Sequence, residues 1–167
     1  MQKTDNYFLN LAYEEARKGL AEGGIPIGAV LVIDNEVVAR GHNKRIQENS
    51  MIKHGETDCI ENTKREILPQ DMQRATLYTT LSPCFMCAGT LLLNNIPKVV
   101  IGENKTFEQS ESLLKEKGIN VVVLNDQNCI DMMLDFILKN PALWGEDIGL
   151  TVQQTLDKYQ DKGMRAD

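Results

Sequence analysis

Two short segments of the sequence carry side chains that could together hold a metal ion. His54 opens a His-Gly-Glu triplet at residues 54–56, and Pro83 precedes a Cys-x-x-Cys pair formed by Cys84 and Cys87. Zinc takes Cys sulfur and His nitrogen in tetrahedral geometry, and a site with three protein ligands and an open fourth position is the catalytic arrangement. We therefore predict a catalytic Zn²⁺ site, one per chain, with His54, Cys84 and Cys87 as ligands.

The carboxylate of Glu56 is the candidate for moving protons at this site. The open position would hold a water molecule, and zinc lowers the pKa of such a water to about 7. Glu56 is a poor fourth ligand because it follows His54 by only two residues on the same helical turn, but it is well placed to shuttle protons. The pattern H-x-E followed by P-C-x-x-C is the signature of zinc deaminases. Glu56 is thus predicted to be the catalytic general acid and base of a hydrolytic deaminase.

The cysteines also allow simpler interpretations. Cys84 and Cys87 could form a redox pair or half of a structural zinc site. The other two cysteines, Cys59 and Cys129, are too isolated in the sequence to complete a four-cysteine site. They are expected to be small buried hydrophobic residues.

Hydrophobic periodicity predicts the elements that position these residues. Strands and helices alternate after an initial helix and hairpin, which favours parallel crossovers in an α/β fold. We expect a three-layer α/β/α sandwich around a mixed five-stranded sheet whose first strand is antiparallel. Helices are predicted over residues 5–22, 54–65, 84–93, 108–117 and 126–139, and strands over residues 27–33, 36–41, 75–80, 97–102 and 119–124.

Composition indicates a globular enzyme and argues against a nucleic-acid partner. The chain has 167 residues and a formal net charge of −6. Its basic residues are scattered, and the pair Lys44 and Arg45 is interpreted as part of a solvated face, whereas nucleic-acid binding usually requires a basic stripe. We find no membrane-length apolar run and no signal-peptide pattern, so we expect a cytoplasmic protein without a membrane partner. Residues 1–149 are predicted to form a single zinc deaminase domain, followed by a polar C-terminal extension, residues 150–167.

The sequence resembles the cytidine-deaminase-like superfamily, and within it the fungal-type cytosine deaminases, over roughly residues 11–149. The segments that carry the resemblance, besides the two metal-motif segments, are residues 12–16 (AYEEA), 24–28 (GIPIG), 41–43 (GHN), 77–84 (LYTTLSPC), 102–104 (GEN) and 144–149 (WGEDIG). The resemblance implies an α/β/α fold, a homodimer, one zinc ion per chain and the deamination of cytosine to uracil.

The resemblance also implies a set of substrate contacts. Asn43 would hydrogen-bond the ring N–H and carbonyl, helped by the backbone N–H of Gly55. Asp147 would contact the amine, as would the backbone carbonyl of Ser82. The remaining implied contacts are an aromatic lid and one wall of the pocket, formed by Phe107, Trp144 and Ile27.

Several positions depart from the fungal-type pattern. Phe85 stands between the two cysteines in place of an acidic residue, and Gly145 follows Trp144 in place of an aromatic residue. Asp58 lies one turn after His54, where a substrate role is an open alternative to a solvated helical charge. Phe85 and Asp58 are therefore candidate substrate contacts. Thr57 and Ile46 also differ from the pattern.

These departures leave three alternatives to cytosine deamination. One is the same chemistry on another small heterocycle such as creatinine. Another is deamination of adenosine in transfer RNA, which the acidic balance opposes. The last is a non-catalytic zinc-stabilised module, which the presence of Glu56 and of only three ligands opposes.

Overall fold

The computed structural model of the protein describes residues 3–63 and 66–163. Its five strands are β1 Gly28–Ile33, β2 Glu36–His42, β3 Ala75–Leu81, β4 Lys98–Glu103 and β5 Asn120–Val123. Its helices are α1 Asp5–Ala21, α2 Gly55–Glu61, α3 Phe85–Leu93, α4 Glu111–Glu116, α5 Gln127–Lys139, α6 Pro141–Ile148 and α7 Val152–Gly163, with a 3-10 turn at Asp71–Arg74.

The five strands form one mixed sheet in the order β2-β1-β3-β4-β5. Strand β1 is antiparallel to both β2 and β3, whereas β3, β4 and β5 are parallel to one another. The predicted α/β class and mixed five-stranded sheet are confirmed. The parallel strands end at the same edge of the sheet, so the loops after β3 and β4 meet there.

Both faces of the sheet are covered by helices. Along β1, Ala29 and Leu31 pack in one buried cluster with Leu91 of α3, while Val30 belongs to another cluster with Phe8 of α1. Side chains alternate between the two faces of a strand, so these clusters lie on opposite sides of the sheet. Helices α2, α3 and α4 cover the first face and α1 the second, where Gly102 of β4 also lies against both α1 and α5. The result is the three-layer arrangement predicted from the element order.

The turn between β1 and β2 follows the local sequence. Asp34 and Asn35 both have positive φ, at 51° and 69°. Asp and Asn tolerate this left-handed region better than other non-glycine residues, which suits a two-residue hairpin turn. The predicted hairpin is confirmed.

Two helices are shorter than the sequence predicts. Helix α2 ends at Glu61 instead of residue 65, and residues 64 and 65 lie outside the described residues. Helix α4 begins at Glu111 instead of residue 108. The side chain of Glu108 accepts a hydrogen bond from the backbone N–H of Glu111 (3.2 Å), so Glu108 satisfies a free donor of the first turn from outside the helix.

Two further helices at the C-terminus were not predicted. Helix α5 ends at Lys139 and is followed by the cap residue Asn140. Pro141 then occupies the first turn of α6, a position where proline costs no hydrogen bond. Helix α7 follows within the segment predicted to be a polar extension. It packs against α5 and α6, and its Thr155 and Tyr159 are fully buried.

Among the described residues, the helices are all too short or too polar to span a lipid bilayer.

Candidate active site

The three predicted zinc ligands meet at the starts of two helices. His54 immediately precedes α2, Cys84 immediately precedes α3, and Cys87 lies in the first turn of α3. The Nδ1 atom of His54 is 3.5 Å from the Cys84 Sγ and 3.7 Å from the Cys87 Sγ, and the two sulfurs are 3.6 Å apart. Helix N-termini favour negative charge, so both cysteines occupy positions that favour thiolates.

The spacing of these donor atoms suits zinc. Tetrahedral bonds of about 2.3 Å to sulfur and about 2.0–2.1 Å to nitrogen put the donors about 3.6–3.8 Å apart. The observed separations of 3.5–3.7 Å agree with that geometry. Within the described part of the chain, this is the group of His, Cys, Asp and Glu side chains close enough to hold a metal ion.

The charges of the donor set also fit a cation. A hydrogen bond from Cys87, together with one from His54, lowers the pKa of the Cys84 thiol to about 4. Burial alone would lower the pKa of His54, but hydrogen bonds with Asp147 and Cys84 raise it to about 10. The hydrogen bond to Cys84 and burial raise the pKa of Cys87. The lowered pKa of Cys84 favours a thiolate in this group, the form of cysteine that binds a divalent cation.

Close packing of α2 on the sheet places His54 and Glu56. A Cβ atom at Gly41 of β2 would lie 2.3 Å from the backbone nitrogen of Cys59, so only glycine lets the helix approach this closely. The Thr57 hydroxyl accepts a hydrogen bond from the backbone N–H of His54 (2.9 Å), which fixes the residue before the helix. These contacts fix the start of α2, and with it His54, against the sheet.

Glu56 is buried beside the metal group. One oxygen lies 3.3 Å from the Cys87 Sγ, and the other accepts a hydrogen bond from the Thr79 hydroxyl at 3.3 Å. Burial, followed by the negative charge of Cys84, raises the pKa of the Glu56 carboxyl. A raised pKa is the direction of shift that lets a carboxyl group donate a proton as well as accept one.

Asp147 and Arg45 extend the site beyond the metal group. The Nε2 atom of His54 is 3.5 Å from an oxygen of Asp147, and the Nε of Arg45 is 3.4 Å from the same oxygen. A metal-binding imidazole usually gives its second N–H to a carboxylate, which fixes the ring orientation. Arg45 was missed by the sequence interpretation, which treated it as part of a solvated face with Lys44. That interpretation is wrong, because Arg45 binds Asp147 and Lys44 binds the buried Asp58.

A cavity of about 380 Å³ opens over His54 and Glu56. This volume is typical of a small-molecule site. Met51, Met86, Gln109 and Ile148 add to its lining and were not predicted. Of the predicted substrate-contact residues, the cavity is lined by Ile27, Ser82, Phe85, Phe107, Trp144 and Asp147.

Two aromatic rings form one wall of the cavity, which we call the aromatic wall. Phe107 follows β4 and Trp144 lies on α6, and their ring centroids are 5.9 Å apart at an interplanar angle of 85°. Edge-to-face pairs of this kind are favourable. Trp144 is 1% exposed.

Asn43 and Gly55 do not line the cavity themselves but lie against Ile27, which does. The backbone N–H of Asn43 donates to the Ile27 carbonyl (2.8 Å), and a Cβ at Gly55 would lie 2.9 Å from the same oxygen. The Oδ1 atom of Asn43 accepts from the backbone N–H of Arg45. Its Nδ2 is buried and has no hydrogen-bond partner among the described residues. A buried donor without a partner costs free energy, which a bound acceptor would recover.

Phe85 and Asp58 have different surroundings. Phe85 is 55% exposed at the cavity rim, where its backbone N–H donates to Gln109. Asp58 is buried and does not line the cavity. Its carboxylate accepts from Lys44 (2.9 Å) and from the backbone N–H of His42 (3.1 Å). The structure therefore corrects the prediction of a substrate contact from Asp58, whose carboxylate instead ties α2 to the end of β2.

A His-Cys-Cys group with zinc geometry and a buried glutamate beside it, carried by this α/β sandwich, defines a zinc-dependent deaminase, a hydrolase of C–N bonds. Residues 2–103 match the family described as the cytidine and deoxycytidylate deaminase zinc-binding region, and the chain belongs to this family.

Comparison with individual proteins gives relatives in two substrate classes. The chain is 49% identical over 147 residues to a cytosine deaminase of Candida albicans, covering 87% of this chain and 97% of that one. It is 43% identical over 98 residues to a tRNA-specific adenosine deaminase of Bacillus subtilis, covering 59% of this chain and 61% of that one. A guanine deaminase structure from Nitrosomonas europaea aligns with a TM-score of 0.71 at 17% identity, over 81% of this chain and 85% of that one. This last likeness shows the fold alone.

Proposed function

We propose that the protein hydrolyses cytosine to uracil and releases ammonia. The observation that carries this proposal is the buried Asn43 amide, whose Nδ2 donor has no hydrogen-bond partner among the described residues. Asn43 is joined through its backbone N–H to Ile27, which lines the cavity over His54 and Glu56. A free pyrimidine base with a ring carbonyl supplies the missing acceptor. The 49% identity to the Candida cytosine deaminase over nearly the whole of that protein supports the same substrate.

The proposed roles follow from the positions of the side chains. His54, Cys84 and Cys87 would hold the zinc ion, which would act as a Lewis acid and make water nucleophilic at neutral pH. The Asn43 amide donates from Nδ2 to the ring carbonyl and accepts from the adjacent ring N–H through Oδ1, and the backbone N–H of Gly55 also donates to the ring carbonyl. The aromatic wall and Ile27 cover the ring.

Glu56 moves the protons of the reaction in this proposal. It takes a proton from the attacking water and gives it to the ring nitrogen next to the amine-bearing carbon, to which the water oxygen bonds. It then moves the remaining proton of that water from the new C–OH group to the amine, which leaves as ammonia when the C–N bond breaks. The carboxylate of Asp147 and the backbone carbonyl of Ser82 accept hydrogen bonds from the amine and hold it in position. The overall balance is cytosine and water to uracil and ammonia.

A substrate panel separates the proposed reaction from its alternatives. We expect the zinc-loaded protein to release ammonia from cytosine but not from cytidine, because a ribose on the ring would have to pass the aromatic wall of a 380 Å³ cavity. A site built for the hydrogen-bond pattern of one substrate lowers kcat/KM for a substrate with another pattern by several orders of magnitude. Ammonia release measured on cytosine, cytidine, adenine, guanine, creatinine and transfer RNA checks this.

The panel has a matched control and a clear contrary result. Protein stripped of metal with a chelator should release no ammonia from cytosine, and zinc added back should restore the rate. Turnover of creatinine or of transfer RNA without turnover of cytosine would contradict the substrate assignment while keeping the zinc and Glu56 roles.

The proposal includes a homodimer in the cytoplasm, acting in pyrimidine salvage. Large apolar side chains are exposed before α2 and along α3, namely Met51, Ile52, Phe85 and Leu93. Large exposed apolar side chains of this kind support a contact between copies of the chain.

The oligomeric state can be measured directly. Sedimentation equilibrium should give about twice the 18.8 kDa of one chain. Leu93 is 82% exposed, so Leu93→Glu should shift the protein toward single chains by burying a charge at the contact. The exposed Leu68→Glu serves as the control and should leave the mass unchanged. A wild-type mass of one chain at micromolar concentration would contradict the dimer.

A further inference from the structure

Helix α7 contacts the aromatic wall through the side chain of Tyr159. This residue is fully buried, and the ammonium groups of Lys158 and Lys162 lie 5.4 Å from its ring centroid. Its hydroxyl donates to the backbone carbonyl of Thr106 (2.7 Å) and accepts from the indole Nε1 of Trp144 (3.2 Å). The phenol therefore makes two hydrogen bonds, one as donor and one as acceptor, in a buried setting.

Both hydrogen bonds of Tyr159 lead to the aromatic wall. Trp144 is one ring of the wall, and Thr106 is the residue before the other ring, Phe107. Thr106 is itself anchored to β4, because its backbone N–H donates to the Glu103 carboxylate (2.9 Å) and its hydroxyl bonds the same group. One hydroxyl thus joins the two segments that supply the wall and fastens them to the sheet.

Gly145 gives independent evidence that the segment entering α7 packs closely on α6, next to Trp144. In the structure a Cβ at Gly145 would lie 2.6 Å from the carbonyl oxygen of Leu150 and 2.7 Å from the hydroxyl of Thr155. The start of α7 occupies the space that a side chain at this position would need, so glycine is required.

We propose that α7 braces the aromatic wall and that Tyr159 is a positioning residue for substrate binding. The hydroxyl fixes the angle of the Trp144 indole, and the backbone bond at Thr106 fixes Phe107 opposite it. Substrate affinity then depends on a helix that does not touch the substrate. The inference relies on the proposed function only in taking the cavity as the place where substrate binds.

The test is Tyr159→Phe in the full-length, zinc-loaded protein, a change that keeps the ring and removes both hydrogen bonds. Trp144 is the only tryptophan, so intrinsic fluorescence reports directly on the wall. We expect a shifted emission maximum and stronger acrylamide quenching. We also expect KM for cytosine to rise about fivefold, the factor for one lost hydrogen bond, with kcat within about twofold of the wild-type value.

Tyr78→Phe is the matched control. Tyr78 is also buried, and its hydroxyl donates to Asp5, the first residue of α1 (2.7 Å), outside the cavity lining. This variant should lose stability, like Tyr159→Phe, but should keep the wild-type fluorescence and KM. If Tyr159→Phe also loses only stability, with fluorescence and KM unchanged, Tyr159 has a structural role and the brace is refuted. A fluorescence change without a change in KM would equally refute a role in substrate binding.

The fluorescence measurement also distinguishes a failure of this inference from a failure of the proposed function. If the wild-type protein does not deaminate cytosine, the substrate assignment fails. The emission and quenching of Trp144 in Tyr159→Phe would still show whether α7 holds the wall.

Discussion

Glu56→Gln is expected to lower kcat for deamination by at least about 10³-fold while one zinc ion per chain is retained. The amide keeps the size of the buried side chain and its contact with Thr79, but it cannot take up or deliver a proton. General acid–base catalysis by one group contributes about 10²–10⁴-fold, and Glu56 is proposed to act at three proton transfers. The measurement is the steady-state rate of ammonia release together with the metal content of the purified variant.

Glu15→Gln provides the comparison for this experiment. Glu15 is another buried carboxylate. It lies on α1, where it pairs with Lys18 of the same helix and with His42 of β2, and it does not line the cavity. It should retain kcat within about twofold even if it loses some stability. Full activity in Glu56→Gln would show that another group moves the protons and would remove Glu56 from the mechanism.

Cys84→Ala is expected to abolish both zinc binding and activity. Cys84 supplies one of three donors, and its thiolate character comes from Cys87 and His54, so its loss leaves two donors and removes the negative charge. Metal content should fall from about one ion per chain to less than about 0.1, and the rate by at least about 10³-fold. Because zinc binds the folded chain, a chelator should lower the Tm of the wild-type protein but not that of the variant.

Cys129→Ala is the matched variant for the metal experiment. Cys129 is buried on α5, outside the donor group, so its removal should leave metal content and turnover unchanged. Retention of a full zinc ion and of activity in Cys84→Ala would contradict the proposed ligand set.

The parts of the fold that depend on local sequence could be predicted. The apolar run of β1 and the Asp34-Asn35 turn carry their structure in a few adjacent residues, and both appear as expected. Helices α6 and α7 could not be predicted in this way. Helix α6 has only eight residues and is separated from α5 by a single residue. Helix α7 has few apolar residues, and its fully buried side chains, Thr155 and Tyr159, both carry a hydroxyl group, so no apolar pattern marks the helix in the sequence.

In the candidate site too, the features set by a few adjacent residues could be predicted and those set by distant contacts could not. The donor group and Glu56 lie at two helix starts, where a motif of a few residues fixes their relative positions. Arg45 could not be recognised, because its partners Glu146 and Asp147 lie about a hundred residues further along the chain. Asp58 was placed in the site on its spacing from His54 alone, and only the positions of Lys44 and β2 show what its carboxylate binds.

The position of β1 next to β3 also has a consequence for how the chain reaches its native state. The central pairing joins residues as far apart as Ala29 and Thr79, and the intervening stretch contains β2 and all of α2. Pairings between distant segments form slowly, since the entropy of closing the loop is lost before the contacts are gained. His54 lies within this loop and Cys84 directly follows β3, so the metal donors meet only when the central pairing has closed. Recovery of activity after dilution from denaturant will therefore follow the closing of this loop, after the hairpin and the helices have formed.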